Sequence, residues 1–370
     1  MNEEIPLFRH YPLLKKQLPR VALATLPTPV EKLTGVGKAL GLSRLYIKRD
    51  DQSGTIYGGN KVRKLEFLLG DALRLKAKEV ITFGFAGSNH ALATAIYAQQ
   101  LGLKCTSFLM PQVNAHYVRR NLLASHYHHA KLCHCANLAV LPWALSKKLL
   151  PDIFKRNIKM IPAGGSCPLG LIGYVNAAFE LRDQIQAGLM PEPERIYVPM
   201  GSMGTSAGLT LGLKAAGLKS LVIPVRVIEE KMARTQKMRQ LAQRSNSLLN
   251  NLAPTFPHVS FTKNDFSVRN DCLGPGYARF TEKAVAAAKL MKQTKGIILN
   301  GAYSAKAFSA LVDDANGKIP LGETVLFWNT YNSRDLSSMT ANLDHRHLPQ
   351  AFHHYFEKEV QALDKNGPDR

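Results

Sequence analysis

Residues 79–110 constrain the fold of this chain more than any other stretch. Glu79-Val80-Ile81-Thr82-Phe83-Gly84 is a short apolar run of buried-strand type, and a Gly87-Ser88-Asn89-His90 turn follows it. Ala91–Leu101 is rich in small residues and predicts a helix; Lys104–Met110 predicts a second strand. Strand, loop, helix, strand in that order requires a crossover, so the two strands pair in parallel. Open parallel sheets hold ligands outside the carboxyl ends of their strands, which is where the Gly87–His90 turn falls. The alternation continues along the chain. Leu45–Asp51, Ile158–Pro162, Ile196–Met200, Leu221–Val227 and Thr324–Trp328 read as strands. Helices are expected at Val30–Leu40, from Lys61 to about Arg74, and at His116–Tyr127, Asn137–Leu150 and Gly173–Ala187. Further helices are expected from Gly208 to about Ala216, and at Glu230–Asn250, Ala278–Lys292 and Ser304–Asp313. The tail past Leu348 reads as loosely held. The fold class is α/β.

Two loop-to-helix junctions carry chemistry. Gly54–Leu69 begins with glycines at 54, 58 and 59 and continues with Val62, Leu65, Leu68 and Leu69 at helical spacing. Lys61 therefore falls in the first turn of a helix. The dipole and unpaired N–H groups there disfavour an extra positive charge and favour a neutral, nucleophilic amine. Gly58 and Gly59 leave room for a flat group beside it. Alone, the pattern also fits a surface lysine after a turn. The second junction runs from Met200 into Gly201-Ser202-Met203-Gly204-Thr205-Ser206-Ala207-Gly208. Strand, Gly/Ser/Thr loop and helix aim several N–H groups at one point, which suits a phosphate. The loop has neither the ending of a nucleotide P-loop nor dinucleotide glycine spacing. It predicts a monophosphate held by dipoles, with an ordinary glycine turn as the alternative.

Composition excludes several classes. No apolar run approaches the length of a membrane span, and the first residues have no apolar signal core, so a cytoplasmic location with no membrane partner is expected. Five cysteines in 370 residues do not form a disulfide framework. The net charge of +21 raises the question of nucleic acid. Basic residues are spread along the chain, the densest run, Glu229–Arg239, contains acids, and no RNA signature or zinc-finger spacing is present. No nucleic-acid partner is expected; attraction of anionic substrates accounts for the charge equally well. His126–Cys135 holds metal-ligand residue types without the spacing of a zinc site, so no metal is expected. Ser166 lacks a nucleophile elbow and reads as an interface turn.

Five motifs in order carry a resemblance. They are Gly58–Glu66 (GGNKVRKLE), Gly87–His90 (GSNH), Gly164–Gly170 (GGSCPLG), Gly173-Tyr174, and Gly201–Gly208 (GSMGTSAG). The series resembles the pyridoxal-phosphate-dependent family of D-cysteine desulfhydrase and 1-aminocyclopropane-1-carboxylate deaminase, from about residue 20 to 335. Leu23–Pro29 and Lys48-Arg49-Asp50-Asp51 fit the family's opening.

The resemblance implies a two-domain tryptophan-synthase-β-like fold (fold type II), each domain an open, mostly parallel sheet flanked by helices, in a homodimer. Residues 1–60 and 176–345 would form the larger domain, 61–175 the smaller, and 346–370 a tail. The implied cofactor is pyridoxal 5'-phosphate and the implied partner a small amino-acid substrate. Lys61 would carry the cofactor and move the substrate proton; Tyr303 would stand beside the ring, and Thr330 would face its nitrogen. Asn89 would bond the ring hydroxyl. Gly201, Ser202, Met203, Gly204 and Thr205 would hold the phosphate, with Asn60 and Lys64 in support. Ser88, His90 and Tyr277 would line the substrate side with Asn89, and Ser88 is counted with Lys61 and Tyr303 as catalytic. A neutral hydroxyl at the pyridine nitrogen leaves a weaker electron sink, suited to β-elimination. The expected reaction is conversion of D-cysteine to pyruvate, ammonia and sulfide. Ring-opening deaminases carry a glutamate where this chain has Ser304, which weakens that alternative. Asn329-Thr330-Tyr331-Asn332 replaces the usual His-Thr-Gly-Gly and puts bulk where relatives have room, and this leaves a third alternative, a cofactor-binding protein with little turnover.

Overall fold

The computed structural model describes residues 4–137, 139–142, 145–146 and 157–365. The helix expected over Asn137–Leu150 lies largely outside them. Among the described residues, strands β1 (Val30–Lys32), β2 (Leu45–Lys48), β3 (Glu79–Phe85), β4 (Lys104–Met110), β5 (Lys131–His134), β6 (Ile158–Ile161), β7 (Arg195–Met200), β8 (Leu221–Arg226) and β9 (Val325–Trp328) build two sheets. One has the order β1-β2-β9-β7-β8 and the other β5-β4-β3-β6. Pairing is parallel throughout, apart from β1 against β2. The α/β architecture of two mostly parallel, helix-flanked sheets expected from the sequence is the one observed.

The strand orders explain where a ligand can bind. In the smaller sheet, β4 and β5 extend to one side of β3 while β6 lies on the other. In the larger sheet, β8 flanks β7 on one side and β9 on the other. The order therefore reverses at β3/β6 and at β7/β9, and a crevice opens outside the carboxyl ends of strands at such a point. The four loops leaving these strands are Gly87–His90, Pro162–Ser166, Gly201–Thr205 and Asn329–Asn332.

A buried ionic cluster ties these loops to the helix Asn60–Arg74. Asp50 accepts hydrogen bonds from Arg63 Nη2 (2.8 Å), Tyr174 Oη (2.6 Å) and Trp328 Nε1 (2.7 Å). Glu180 accepts from Lys48 Nζ (2.6 Å) and Arg63 Nη1 (2.9 Å). Burial would raise the Glu180 pKa, but the Arg63 and Lys48 charges override it and hold it at about 2. Arg63 lies two residues beyond Lys61, and Trp328 two residues before Thr330. One carboxylate thus fixes the backbone under both.

Three expectations are corrected. Val30–Lys32 is not helical but pairs antiparallel with β2, from Val30↔Lys48 to Lys32↔Tyr46, and the helix begins at Thr34. A three-residue edge strand is set by its partner rather than by its own pattern. Lys131–His134, where the sequence reading expects no strand, is β5, parallel to β4. The chain after Leu348 is held rather than loose. Phe352 and Tyr355 are buried in the core beneath the smaller sheet, and Asp364 accepts from the His116 backbone N–H at 2.6 Å.

Candidate active site

The four loops enclose a cleft with a cavity volume of about 320 Å³. Lys61 opens the helix Asn60–Arg74 and reaches into it, with its Nζ 2.7 Å from Asn60 Oδ1. Desolvation lowers the Lys61 pKa to about 8, so about a tenth of the amine is neutral at pH 7, far more than for an ordinary lysine. The backbone before it requires glycine. Gly59 has φ +90°, and a Cβ there would stand 2.8 Å from the Thr330 carbonyl oxygen.

The Gly201–Thr205 loop forms one end of the cleft and leads into the helix Gly204–Ala215, whose first-turn N–H groups point out of the helix end. Asn60 Nδ2 donates to Thr205 Oγ1 (2.9 Å), joining the two junctions read from the sequence. Ser166 bridges this loop from across the cleft: its hydroxyl donates to Ser202 Oγ (2.8 Å) and accepts from the Gly204 N–H (3.2 Å). Read from the sequence as an interface turn, Ser166 also belongs to the wall of the cleft. Lys64 does not line the cleft. Its fully buried amine lies behind the loop, 3.1 Å from the Gly164 carbonyl oxygen and 2.8 Å from where a Gly204 Cβ would be. Burial, then the nearby Lys61 charge, lowers its pKa well below the usual lysine range.

At the other end, Ser88 accepts a hydrogen bond from the Ala91 N–H (3.1 Å) and caps the helix Asn89–Gln100. Asn89 Oδ1 accepts from Tyr57 Oη (3.1 Å) and Asn121 Nδ2 (2.9 Å). With the oxygen doubly held, the amide NH₂ is the group left to meet a ligand acceptor. His90 is buried, neither ring nitrogen has a hydrogen-bond partner, and burial, then Lys61 and Lys64, push its pKa well below the usual histidine range. Tyr303 precedes the helix Ser304–Ala315 and shares a hydroxyl–hydroxyl hydrogen bond with Tyr277; burial raises the Tyr303 pKa to about 12. Thr330 completes the wall beside Lys61. Ser304 is turned away: its hydroxyl accepts from the Asn300 N–H at 2.8 Å in the interior.

All the site residues expected from the sequence except Lys64 thus line one cleft. Sequence reasoning marked Tyr331 only as bulk beside Thr330, and did not pick out Ala163 or the apolar wall of Phe83, Phe85, Met232 and Leu241. Phe83, Phe85 and Leu241 belong to a strand and a helix whose apolar pattern looks the same whether they face the core or a cleft, and Met232 sits in the turn before that helix. The site fits a phosphorylated, flat, carbonyl-bearing group. A desolvated amine stands beside a helix N-terminus whose unpaired N–H groups suit an anion. Orphaned His90 and the amide of Asn89 supply polar groups in search of a ligand.

Comparison with known proteins agrees. The family described as "Pyridoxal-phosphate dependent enzyme" matches residues 21–330. D-cysteine desulfhydrase of Klebsiella pneumoniae (strain 342) is 34% identical over 309 residues, covering 82% of this chain and 90% of the relative. A Pyrococcus abyssi (strain GE5 / Orsay) protein provisionally named 1-aminocyclopropane-1-carboxylate deaminase is 32% identical over 323 residues, covering 86% and 92%. Among solved structures, one titled as an ACC deaminase homologue superposes with a TM-score of 0.75 at 30% identity, covering 92% of this chain and all of that one. A threonine deaminase isoform from Solanum lycopersicum, at 16% identity and a TM-score of 0.58, shares the fold.

Proposed function

The chain belongs to the pyridoxal-phosphate-dependent enzyme family of D-cysteine desulfhydrase and 1-aminocyclopropane-1-carboxylate deaminase, and from that premise we propose that it catalyses α,β-elimination from a small amino acid. Our best assignment of substrate is D-cysteine, giving pyruvate, ammonia and sulfide. The observation that carries this reading is the desolvated Lys61 amine, sharing one cleft with the Gly201–Thr205 loop, Asn89 and Thr330.

Pyridoxal phosphate, when bound, supplies the electron sink. The chain's own residues would do the rest. Lys61 would hold the cofactor and, once released by substrate, take the α-proton as a base already near neutral pH. Gly201–Thr205 would hold the phosphate by N–H groups and the Ser202 and Thr205 hydroxyls, with Asn60 orienting Thr205 and Lys64 supporting the loop from behind. Asn89 would donate to the ring hydroxyl, and Thr330 would meet the ring nitrogen without protonating it. Tyr303, protonated at neutral pH, would stand against the ring, oriented by Tyr277. Ser88 and His90 would line the substrate side.

Two observations favour elimination over ring opening. Thr330, a neutral group, borders the cleft, and Ser304 is occupied by a backbone N–H in the interior. The ring-opening reading draws its support from the Pyrococcus relative's name. Incubation of the purified protein with D-cysteine and, separately, with 1-aminocyclopropane-1-carboxylate decides between them. Pyruvate and sulfide, formed by wild type and not by Lys61→Ala, are the expected products. Formation of 2-oxobutanoate alone would replace the assignment, and no product from either would favour a cofactor-binding role.

A further inference from the structure

The backbone that follows Tyr277 is bent against its own preference. Ala278 has φ +61°, a left-handed conformation that alanine seldom adopts and that persists only where its surroundings hold it. One side chain from more than 80 residues further on does the holding. Gln361 Oε1 accepts from the Phe280 N–H (2.8 Å), and Gln361 Nε2 donates to the Ala278 carbonyl (3.1 Å). Gln361 is itself fixed to the loop after β4. Its backbone N–H donates to the Asn114 carbonyl (3.0 Å), and Asn114 Nδ2 donates to the Tyr355 and Lys358 carbonyls (2.8 Å each). Arg119 Nη2 adds a bond to the Lys358 carbonyl (2.7 Å). Gln361 lies beyond the 21–330 span of the family match.

Tyr277 directly precedes Ala278, so the direction of its ring follows from the backbone that Gln361 clamps. On the other side, the Tyr277 N–H donates to Glu229 Oε1 (3.0 Å). Between these ties the ring centroid lies 4.5 Å from that of Phe85 and 6.0 Å from that of Tyr303, and the two tyrosine hydroxyls share a hydrogen bond. Gln361 is not among the described residues that line the cleft. We propose that Gln361 is a positioning residue: its amide holds the left-handed turn at Ala278 and so sets the Tyr277 hydroxyl against Tyr303. This rests on the reading above, in which Tyr303 stands beside the cofactor.

Gln361→Met keeps the side chain's length and removes both hydrogen bonds; it is compared with wild type as cofactor-loaded protein. Hydrogen exchange of the peptide spanning Tyr277–Phe280, followed by mass spectrometry, should be about 5-fold faster or more, the size of one or two lost neutral hydrogen bonds. The visible circular dichroism of the bound cofactor should change, because Tyr303 beside it loses a fixed partner. With D-cysteine, kcat should fall about 5-fold or more while KM stays within about 2-fold. Tyr277→Phe removes the hydroxyl that Gln361 positions, so the double variant should have the kcat of Tyr277→Phe alone. Unchanged exchange, unchanged circular dichroism, or losses in kcat that multiply in the double variant would each overturn the proposal. Faster exchange with kcat and circular dichroism as in wild type would make Gln361 a tie of the fold only, and overturns it equally. Exchange and circular dichroism need no substrate, so a wild type inactive on D-cysteine overturns the substrate assignment while these two measurements still decide the role of Gln361.

Discussion

At the scale of single residues, Lys61 makes a prediction tied to its surroundings. Its amine is a base whose pKa desolvation lowers to about 8, so the neutral, reactive form grows as pH rises through that value and saturates above it. The rate at which apo protein gains a visible band with pyridoxal phosphate should follow a single ionisation near 8. A rate still climbing steeply beyond pH 9 would mean an ordinary exposed lysine. Gly204 gives a steric test. A Cβ there would lie 2.5 Å from Ser166 Oγ and 2.8 Å from Lys64 Nζ. Gly204→Ala should therefore cost about 1–3 kcal/mol in the phosphate end, read as cofactor affinity lowered about 10-fold or more; unchanged affinity would place the phosphate elsewhere. Lys61 and Gly204 were legible in the sequence because each sits at a glycine-marked junction. Tyr331 was legible only as bulk beside Thr330, because nothing local says that Arg120, over 200 residues earlier, meets it.

Among the elements, the helix Asn60–Arg74 carries the account. Its start was legible from the spacing of Val62, Leu65, Leu68 and Leu69; its anchoring was not. Arg63 falls on a helix that reads as amphipathic, yet it is almost wholly buried between Asp50 and Glu180. Arg63→Met leaves two carboxylates buried beside Lys48 alone. It should destabilise the protein by about 3–5 kcal/mol, measured by denaturant unfolding, as expected when one partner of a buried ion pair is removed. A loss below about 1 kcal/mol would mean that the cluster admits water. The strands that escaped the sequence reading, β1 and β5, are edge strands of three and four residues. Their hydrogen bonds come from neighbours distant in the chain, so no local periodicity marks them. The interior strands β3, β4 and β7 were legible because burial on both faces leaves short apolar runs in them, Val80-Ile81, Phe108-Leu109-Met110 and Ile196-Tyr197-Val198.

For the whole molecule, the two points of reversed strand order bring residues 60–61, 88–90, 162–164, 166, 201–205 and 330–331 to one place. The sequence reading reached that assembly through five weak motifs in a fixed order, not through any one of them. It misjudged the end of the chain, where Phe352 and Tyr355 close the core of the smaller sheet. Phe352→Ala should cost about 3–5 kcal/mol by thermal or chemical unfolding, the range for a buried aromatic, whereas a loosely held tail would show almost no change. Among the described residues no helix is long and apolar enough to cross a membrane. The central claim is that this chain holds pyridoxal phosphate on Lys61. Its most direct test is to load the protein with the cofactor, reduce with borohydride and map the modified peptide by mass spectrometry. One cofactor-derived mass increment at Lys61, absent from Lys61→Ala, is the predicted result; an increment on another lysine, or none, would contradict it.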